Sequence, residues 1–282
     1  MEDSNSGVRL GIAQMAMGPD EGENLEKAVE MIGDASARGA DIVCLPELFA
    51  STYFPRREHV KVKPEPIPGP TSRALARAAA KSKVFLVGGS ILERAGAKRY
   101  NTSVVFDSRG RMLGRYRKVH LPYDSHYFEK SYFSPGRGYS VFRTPFGSIS
   151  PLICFDQWYP EPARICRLGG AQILFYPTAI GWVKGIDPVE GDWQEAWEAV
   201  QRGHSVANNV VVCAVNRVGT EGDMTFWGGS FVCDQFGKVL FRAGDNQGVS
   251  VVEVDLSLGR EVEEGWGFLR NRKPSTYRRL VR

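Results

Sequence analysis

The sequence predicts a mixed α/β (α+β) fold in which two β-sheets pack between layers of helices. Three observations carry this. Strand and helix patterns alternate through the first two-thirds of the 282 residues, and a run of strands follows. Several strands are apolar at every position, so both faces of their sheets must be covered. The chain shows no internal repeat, low-complexity segment or linker, and its length suits a single α/β core.

The elements follow in order. Residues 8–15 form an apolar strand, and residues 24–38 a helix with Leu25, Ala28, Val29, Ile32 and Ala35 at helical spacing, stopped by Gly39. Residues 41–45 are a buried strand ended by Pro46. The Pro-rich stretch 63–70 is a loop, and Thr71 is placed to cap a helix over 72–81. A strand over 84–92 and a hairpin over 103–107 and 111–116, turning at Ser108-Arg109-Gly110, come next. Residues 118–138 are irregular and rich in Tyr, Phe and Pro, a length that marks a binding or flexible loop. A strand over 149–154 leads to a helix opened by Pro160 and Pro162 and ending near Leu168. A strand over 172–176 precedes a helix over 192–208 with Trp193, Ala196, Trp197, Val200 and Ala207 on one face. Residues 210–215, 229–233, 239–241 and 249–254 complete the strands.

Composition narrows the function classes. Hydrophobic residues make up 43% and charged residues 24%, an ordinary globular balance. The net charge of +4 is mild and interleaved, with no basic stripe on a recognisable module, which argues against nucleic acid as a partner. No apolar run is long enough to span a bilayer. Residues 1–6 are polar and acidic, unlike a signal peptide, and are expected to be disordered. A soluble, cytoplasmic chain is expected. The five cysteines have no Cys-x-x-Cys pair, and the four histidines have no metal-ligand spacing, so neither metal nor other cofactor is expected.

Three residues stand at the ends of apolar strands and have the chemistry of a nucleophilic site. Glu47, in Leu45-Pro46-Glu47-Leu48, lies where α/β folds place their sites, and partial desolvation there suits a general base. Lys118, in Arg117-Lys118-Val119-His120, could point inward and hold negative charge developing on oxygen. Cys154, in Ile153-Cys154-Phe155-Asp156, precedes a Pro-opened helix whose N-terminus favours a thiolate. Taken singly, each has an ordinary reading: a solvated glutamate, a solvated basic run, an inert buried thiol. Cys44, Cys166, Cys213 and Cys233 lie within predicted elements and are read as inert.

Together, in this order and with these flanks, the residues resemble the nitrilase superfamily of carbon–nitrogen hydrolases. The resemblance runs from Gly11-Ile12-Ala13-Gln14 to Arg270-Asn271-Arg272-Lys273-Pro274, with further matches at Tyr176-Pro177-Thr178-Ala179 and Ala214-Val215-Asn216-Arg217-Val218-Gly219. It implies a four-layer αββα sandwich over residues 7–258, a Glu47–Lys118–Cys154 triad, no metal, and homodimers or larger homo-oligomers whose sheets continue across a two-fold interface. Residues 259–282 would then be an arm packed at that interface. Glu129 matches a second active-site glutamate that would orient Lys118; its alternative is a surface charge.

Within the superfamily, residues 154–161, 128–136 and 176–181 look like the N-carbamoylputrescine amidases. That implies a small carbamoyl amine or amide as substrate. Tyr53, Phe54, Phe155, Asp156, Thr178, Ala179 and Trp182 are the expected substrate contacts, with Asp156 able to favour a substrate amine. Trp182 departs from that group's pattern, which has an acid there. Asp187, Glu190 and Asp192, beside Trp182 and Trp193, suggest an acidic, aromatic pocket for a cation, although the tryptophans could equally be core. Alternatives are a β-ureidopropionase or ω-amidase of the same superfamily, and, from a different class, a glutaminase-like subunit supplying ammonia to a partner.

Overall fold

The structure is a computed structural model and describes residues 7–281. The expectation for residues 1–6 lies outside the described residues. Two large sheets form the centre. The first, of seven strands, runs Gly248–Asp255, Gly7–Gln14, Ile42–Cys44, Phe85–Val87, Lys98–Phe106 and Ile91–Ala95, with Met112–Arg117 also paired to Lys98–Phe106. The second, of six, runs Val239–Arg242, Phe231–Cys233, Val211–Val215, Ile173–Pro177, Gly147–Pro151 and Phe142–Thr144.

Alternation of side chains along each strand builds the layers. Val8, Leu10, Ile12, Ile42 and Val87 of the first sheet meet Ile173, Phe175, Val211, Cys213 and Val215 of the second in an inter-sheet core. The opposite face of the first sheet packs on α1 (Glu21–Ala37) and α2 (Pro70–Ser82). The opposite face of the second packs on α3 (Pro160–Leu168) and α4 (Trp193–Asn208). The result is the αββα sandwich. A last helix, α5, spans Leu258–Gly265. Cys44 and Cys213 lie in the inter-sheet core, as inert cysteines should. Among the described residues, no helix is long and apolar enough to cross a membrane.

Several local expectations are corrected. α1 starts at Glu21, because Asp20 Oδ1 accepts the N–H groups of Gly22 (2.7 Å) and Glu23 (3.0 Å) and nucleates a turn earlier. α2 starts at Pro70, so Thr71 lies inside the helix; Ser72 Oγ accepts the Gly69 N–H instead, at 2.8 Å. The 84–92 strand is two strands. Gly89, at φ +54°, breaks it, and a Cβ there would stand 2.1 Å from the Pro46 carbonyl oxygen. This break seats the end of the Glu47 segment. Gly181–Val183 adds a strand that the sequence pattern does not predict, in a small third sheet with Met224–Trp227 and Val218–Glu221. Three-residue strands carry too little alternation to be read.

α4 is rotated from its predicted face. Ala196 and Ala207 are exposed, while Gln201, His204 and Ser205 are buried with Trp197. This helix packs on polar backbone behind the Cys154–Trp158 turn. His204 Nε2 lies 2.7 Å from the Gln157 carbonyl, and Trp197 Nε1 donates to Gln157 Oε1 at 2.9 Å.

Candidate active site

Glu47 leaves the strand Ile42–Cys44 through Pro46 and is fully buried. The next residue, Leu48, has φ +47°, and its N–H donates to Ser90 Oγ at 2.9 Å. The buried Arg217 guanidinium holds this bend, donating to the carbonyls of Glu47 (3.2 Å), Leu48 (3.0 Å) and Ser51 (3.0 Å). Arg217 also pairs with Glu221 at 2.9 Å, and Glu221 accepts the Tyr53 N–H at 2.5 Å. A buried cation thus fixes the backbone that carries the acid.

Lys118 follows the strand Met112–Arg117 and points inward, with its N–H donating to the Asn101 carbonyl at 2.9 Å. Its Nζ lies 2.8 Å from Glu47 Oε1 and 2.7 Å from Glu129 Oε1, and all three side chains are shut off from solvent. Asn101 Nδ2 donates to Glu47 Oε1 at 2.7 Å, and the Tyr53 hydroxyl donates to Glu129 Oε1 at 2.9 Å. Glu129 is therefore no surface charge. Burial opposes the Lys118 ammonium, but Glu129 and Glu47 outweigh it and hold the group above the ordinary lysine value. Burial pushes Glu129 up to about 7, with Lys118 pulling down and Glu47 pushing further up. One oxygen of each carboxylate, Glu47 Oε2 and Glu129 Oε2, has no hydrogen-bond partner among the described residues.

Cys154 lies beyond the strand Gly147–Pro151, not within it, and opens a short 3₁₀ turn, Cys154–Trp158. Its φ of +40° is unusual for a residue with a Cβ and turns the thiol out of the strand direction. Sγ stands 3.9 Å from the Ala179 carbonyl oxygen. Glu47, Lys118 and Glu129 all act electrostatically on this sulfur. Burial, then Glu47, push the thiol well above its usual value, and Lys118 only partly opposes them. The turn favours a thiolate, but the desolvation of a buried sulfur outweighs it and favours the protonated thiol.

The expected substrate contacts divide. Tyr53, fully buried, touches Glu129, and Ala179 touches Cys154. Phe155 is half-buried beside the sulfur, its ring 5.7 Å from that of Tyr159. Trp182 is half-buried and stacks on Trp193 (6.0 Å, 15°), with Trp227 at 4.9 Å. Phe54 packs on Tyr132 and lines a groove of about 650 Å³ with Thr52, Val62 and Leu92, a groove whose lining does not include Cys154. The Thr178 hydroxyl is turned back to the Tyr176 carbonyl at 2.9 Å. Asp156 is corrected as a substrate contact: it is fully buried, and both oxygens are engaged by Tyr116, His120 and Ile153. Of the three acids after Trp182, Asp192 caps α4 and Glu190 accepts the Trp193 indole N–H, while Asp187 is exposed.

Sequence reasoning missed Asn101, Tyr127 and the role of Arg217. Tyr127 bridges to the Gly181 carbonyl through its hydroxyl (3.4 Å) and lies 5.9 Å from the Tyr53 ring. Arg217 stood inside a matched motif and was findable; Asn101, in the middle of an ordinary strand, had no local signal. Among the described residues, no group of three or more His, Cys, Asp or Glu is arranged to hold a metal ion.

A family model described as carbon–nitrogen hydrolase matches residues 9–264. The chain belongs to this family. The hydrolase is similar over its whole length to several curated enzymes. An N-carbamoylputrescine amidase from Solanum lycopersicum is 36% identical over 293 residues, covering 100% of this chain and 97% of that one. A citrullinase from Francisella tularensis is 33% identical, covering 98% of each. An ω-amidase from Xenopus laevis is 34% identical, covering 95% of this chain and 96% of its own. Among solved structures, a Helicobacter pylori carbon–nitrogen hydrolase superposes with a TM-score of 0.89 at 34% identity, covering 98% of the hydrolase and 99% of that chain. A Nesterenkonia amidase variant superposes at 0.81 with 26% identity, covering 96% of each, and carries the acetamide moiety of fluoroacetamide on its active-site cysteine.

Proposed function

We propose that the enzyme hydrolyses N-carbamoylputrescine to putrescine, carbon dioxide and ammonia through a thioester on Cys154. The observation that carries the chemistry is the division of labour on Glu47. Lys118 and Asn101 both occupy Oε1, which leaves buried Oε2 unpartnered and able to take a proton. Glu47 takes the Cys154 proton as sulfur attacks the ureido carbonyl. The Lys118 ammonium and the Phe155 backbone N–H hold the oxyanion, each donor contributing about 3 kcal/mol. The C–N bond breaks, and Glu47 returns the proton to the leaving ammonia. Water, deprotonated by Glu47, then cleaves the carbamoyl thioester, and the released carbamate loses carbon dioxide. A covalent intermediate splits one hard step into two easier ones.

The substrate rests on two supports. The relative at 36% identity bears this activity, and the stacked pair Trp182–Trp193 with Trp227 begins three residues from the carbonyl that touches Sγ. Aromatic faces, with exposed Asp187 five residues along the chain from Trp182, suit an aliphatic ammonium. Ammonia release should be measured with N-carbamoylputrescine, N-carbamoyl-β-alanine, citrulline and an ω-amide of a dicarboxylic acid. The expected result is the highest kcat/KM on N-carbamoylputrescine; a higher value on any of the other three contradicts the assignment. Subunit pairing through the C-terminal arm belongs to the same reading, supported by exposed Trp266 and Leu280.

The raised Glu129 carboxyl predicts an acid limb. Below about pH 7 it gains a proton, so Lys118 loses one of its two anions and is drawn onto Glu47, weakening the base. kcat/KM should fall as pH drops below that point, and Glu129→Gln should lose this limb. A wild-type profile flat into the ordinary carboxylate range contradicts it. The sign for stability is opposite to that of a salt-bridged carboxylate with a depressed value. The folded state binds this proton more tightly than the unfolded chain, so Glu129 costs stability as pH rises from the ordinary carboxylate range toward about 7.

A further inference from the structure

The segments carrying Lys118 and Cys154 belong to different sheets. Lys118 extends the strand Met112–Arg117 of the seven-stranded sheet, and Cys154 follows Gly147–Pro151 of the six-stranded one. One buried carboxylate joins them. Asp156 Oδ2 accepts the Tyr116 hydroxyl at 2.6 Å and the Ile153 N–H at 2.9 Å. Asp156 Oδ1 accepts the His120 N–H at 3.0 Å and lies 2.8 Å from His120 Nδ1. The Tyr116 hydroxyl also accepts the Val119 N–H, at 3.3 Å. The residues two before and two after Lys118 are thus bound to the residue two after Cys154.

The same residue closes the nucleophile turn. Its N–H donates to the Ile153 carbonyl at 3.1 Å while its side chain accepts the Ile153 N–H, so Cys154 at φ +40° is bracketed from both sides. A left-handed conformation at a residue with a Cβ costs about 1–3 kcal/mol and persists only where its surroundings over-determine it. The His120 ring stacks on Tyr159 at 3.8 Å and 13°, and the Tyr159 N–H donates to the Asp156 carbonyl at 3.2 Å, so the joint is stiff along its length.

We propose that Asp156 is the positioning residue that sets the separation between the Lys118 ammonium and the Cys154 sulfur, with Tyr116 and His120 as its anchors on the lysine side. The inference rests on the roles assigned above to Lys118 and Cys154. An oxyanion site built from two separate segments works only if both are held to a fraction of an ångström, and a misplacement of about 1 Å costs roughly a hundredfold in rate. Asp156 touches no substrate, so its loss acts on kcat and leaves KM unchanged.

The test compares Tyr116→Phe, Asp156→Asn and the double variant with wild type, on the panel substrate that wild type hydrolyses fastest. Turnover is normalised to the fraction of Cys154 that iodoacetamide alkylates, which removes misfolded protein from the count. Tyr116→Phe keeps the buried ring and removes one anchor; kcat should fall about tenfold. Asp156→Asn cannot accept all four bonds; kcat should fall about a hundredfold. KM should not change, and the double variant should be no slower than Asp156→Asn, because both act through one carboxylate. Should Asp156→Asn fail to fold, Tyr116→Phe decides alone. Full kcat per alkylated site in Tyr116→Phe, a loss carried in KM, or additive losses in the double variant each overturn the proposal. A wild type inert on the whole panel removes the functional reading, and this inference with it. Wild-type turnover unaltered by Tyr116→Phe removes this inference alone.

Discussion

Cys154→Ser leaves a folded protein with at least about 10⁴-fold lower turnover, the scale on which nucleophile removal acts in enzymes of this kind. The fold survives because oxygen replaces the slightly larger sulfur at a site where the thiol makes only a loose hydrogen bond, 3.9 Å to the Ala179 carbonyl. The chemistry does not. The thiol already rests well above its ordinary value because it is buried beside Glu47, so Glu47 must remove the proton as attack begins. A hydroxyl in the same place starts far higher still, beyond the reach of a carboxylate whose free oxygen is its only base. The melting temperature and ammonia release of both proteins, measured on the same preparation, check this. Turnover near wild type in the serine variant contradicts the nucleophile assignment.

Lys118→Met damages both stability and rate. The ammonium stands 2.8 Å from Glu47 and 2.7 Å from Glu129, with all three side chains at 0% exposure. Methionine fills a similar volume but leaves two carboxylates facing each other without a cation. Removing one partner of a buried ion pair costs about 3–5 kcal/mol, chiefly because the remaining charge is left uncompensated. One carboxyl then keeps a proton at neutral pH. The oxyanion donor is lost with the ammonium, and it alone is worth roughly a hundredfold or more. The expected result is a clearly lower melting temperature together with a fall in kcat of at least about a hundredfold per folded protein. Glu129→Gln in the same background should recover part of the stability and none of the rate. A variant that melts like wild type, or turns over at its rate, contradicts the arrangement.

The αββα layering was legible because the strands that build it are long enough to show their burial. Residues 7–14 and 248–255 pair along their whole length, and 173–177 and 211–215 are apolar throughout. The short strands of the third sheet were not legible, because three or four residues cannot display a period. Glu47, Lys118 and Cys154 could be picked out because their flanks, taken together and in order, resemble one family. What surrounds the triad could not. Asn101 acts through tertiary approach, from a strand distant in sequence, and nothing in its neighbours marks it; Arg217 stood in a matched motif, but its hold on the Glu47 bend shows only in the fold. Asp156 was misjudged for the same reason. An acid two residues after a nucleophile suggests a substrate contact, and only the fold reveals that Tyr116, His120 and Ile153 already occupy both its oxygens. α4 was read by its apolar spacing, whereas its buried face is chosen by polar groups that hold Gln157.

In the proposed reaction the Cys154 sulfur becomes covalently bound to the carbonyl carbon of the substrate. Rapid acid quenching of wild-type enzyme during turnover of N-carbamoylputrescine, followed by peptide mass analysis, reads this directly. The expected result is one carbamoyl adduct, confined to the peptide bearing Cys154 and absent when Cys154 is serine. An adduct on Cys44, Cys166, Cys213 or Cys233, or sustained turnover with every cysteine unmodified at all quench times, would contradict it.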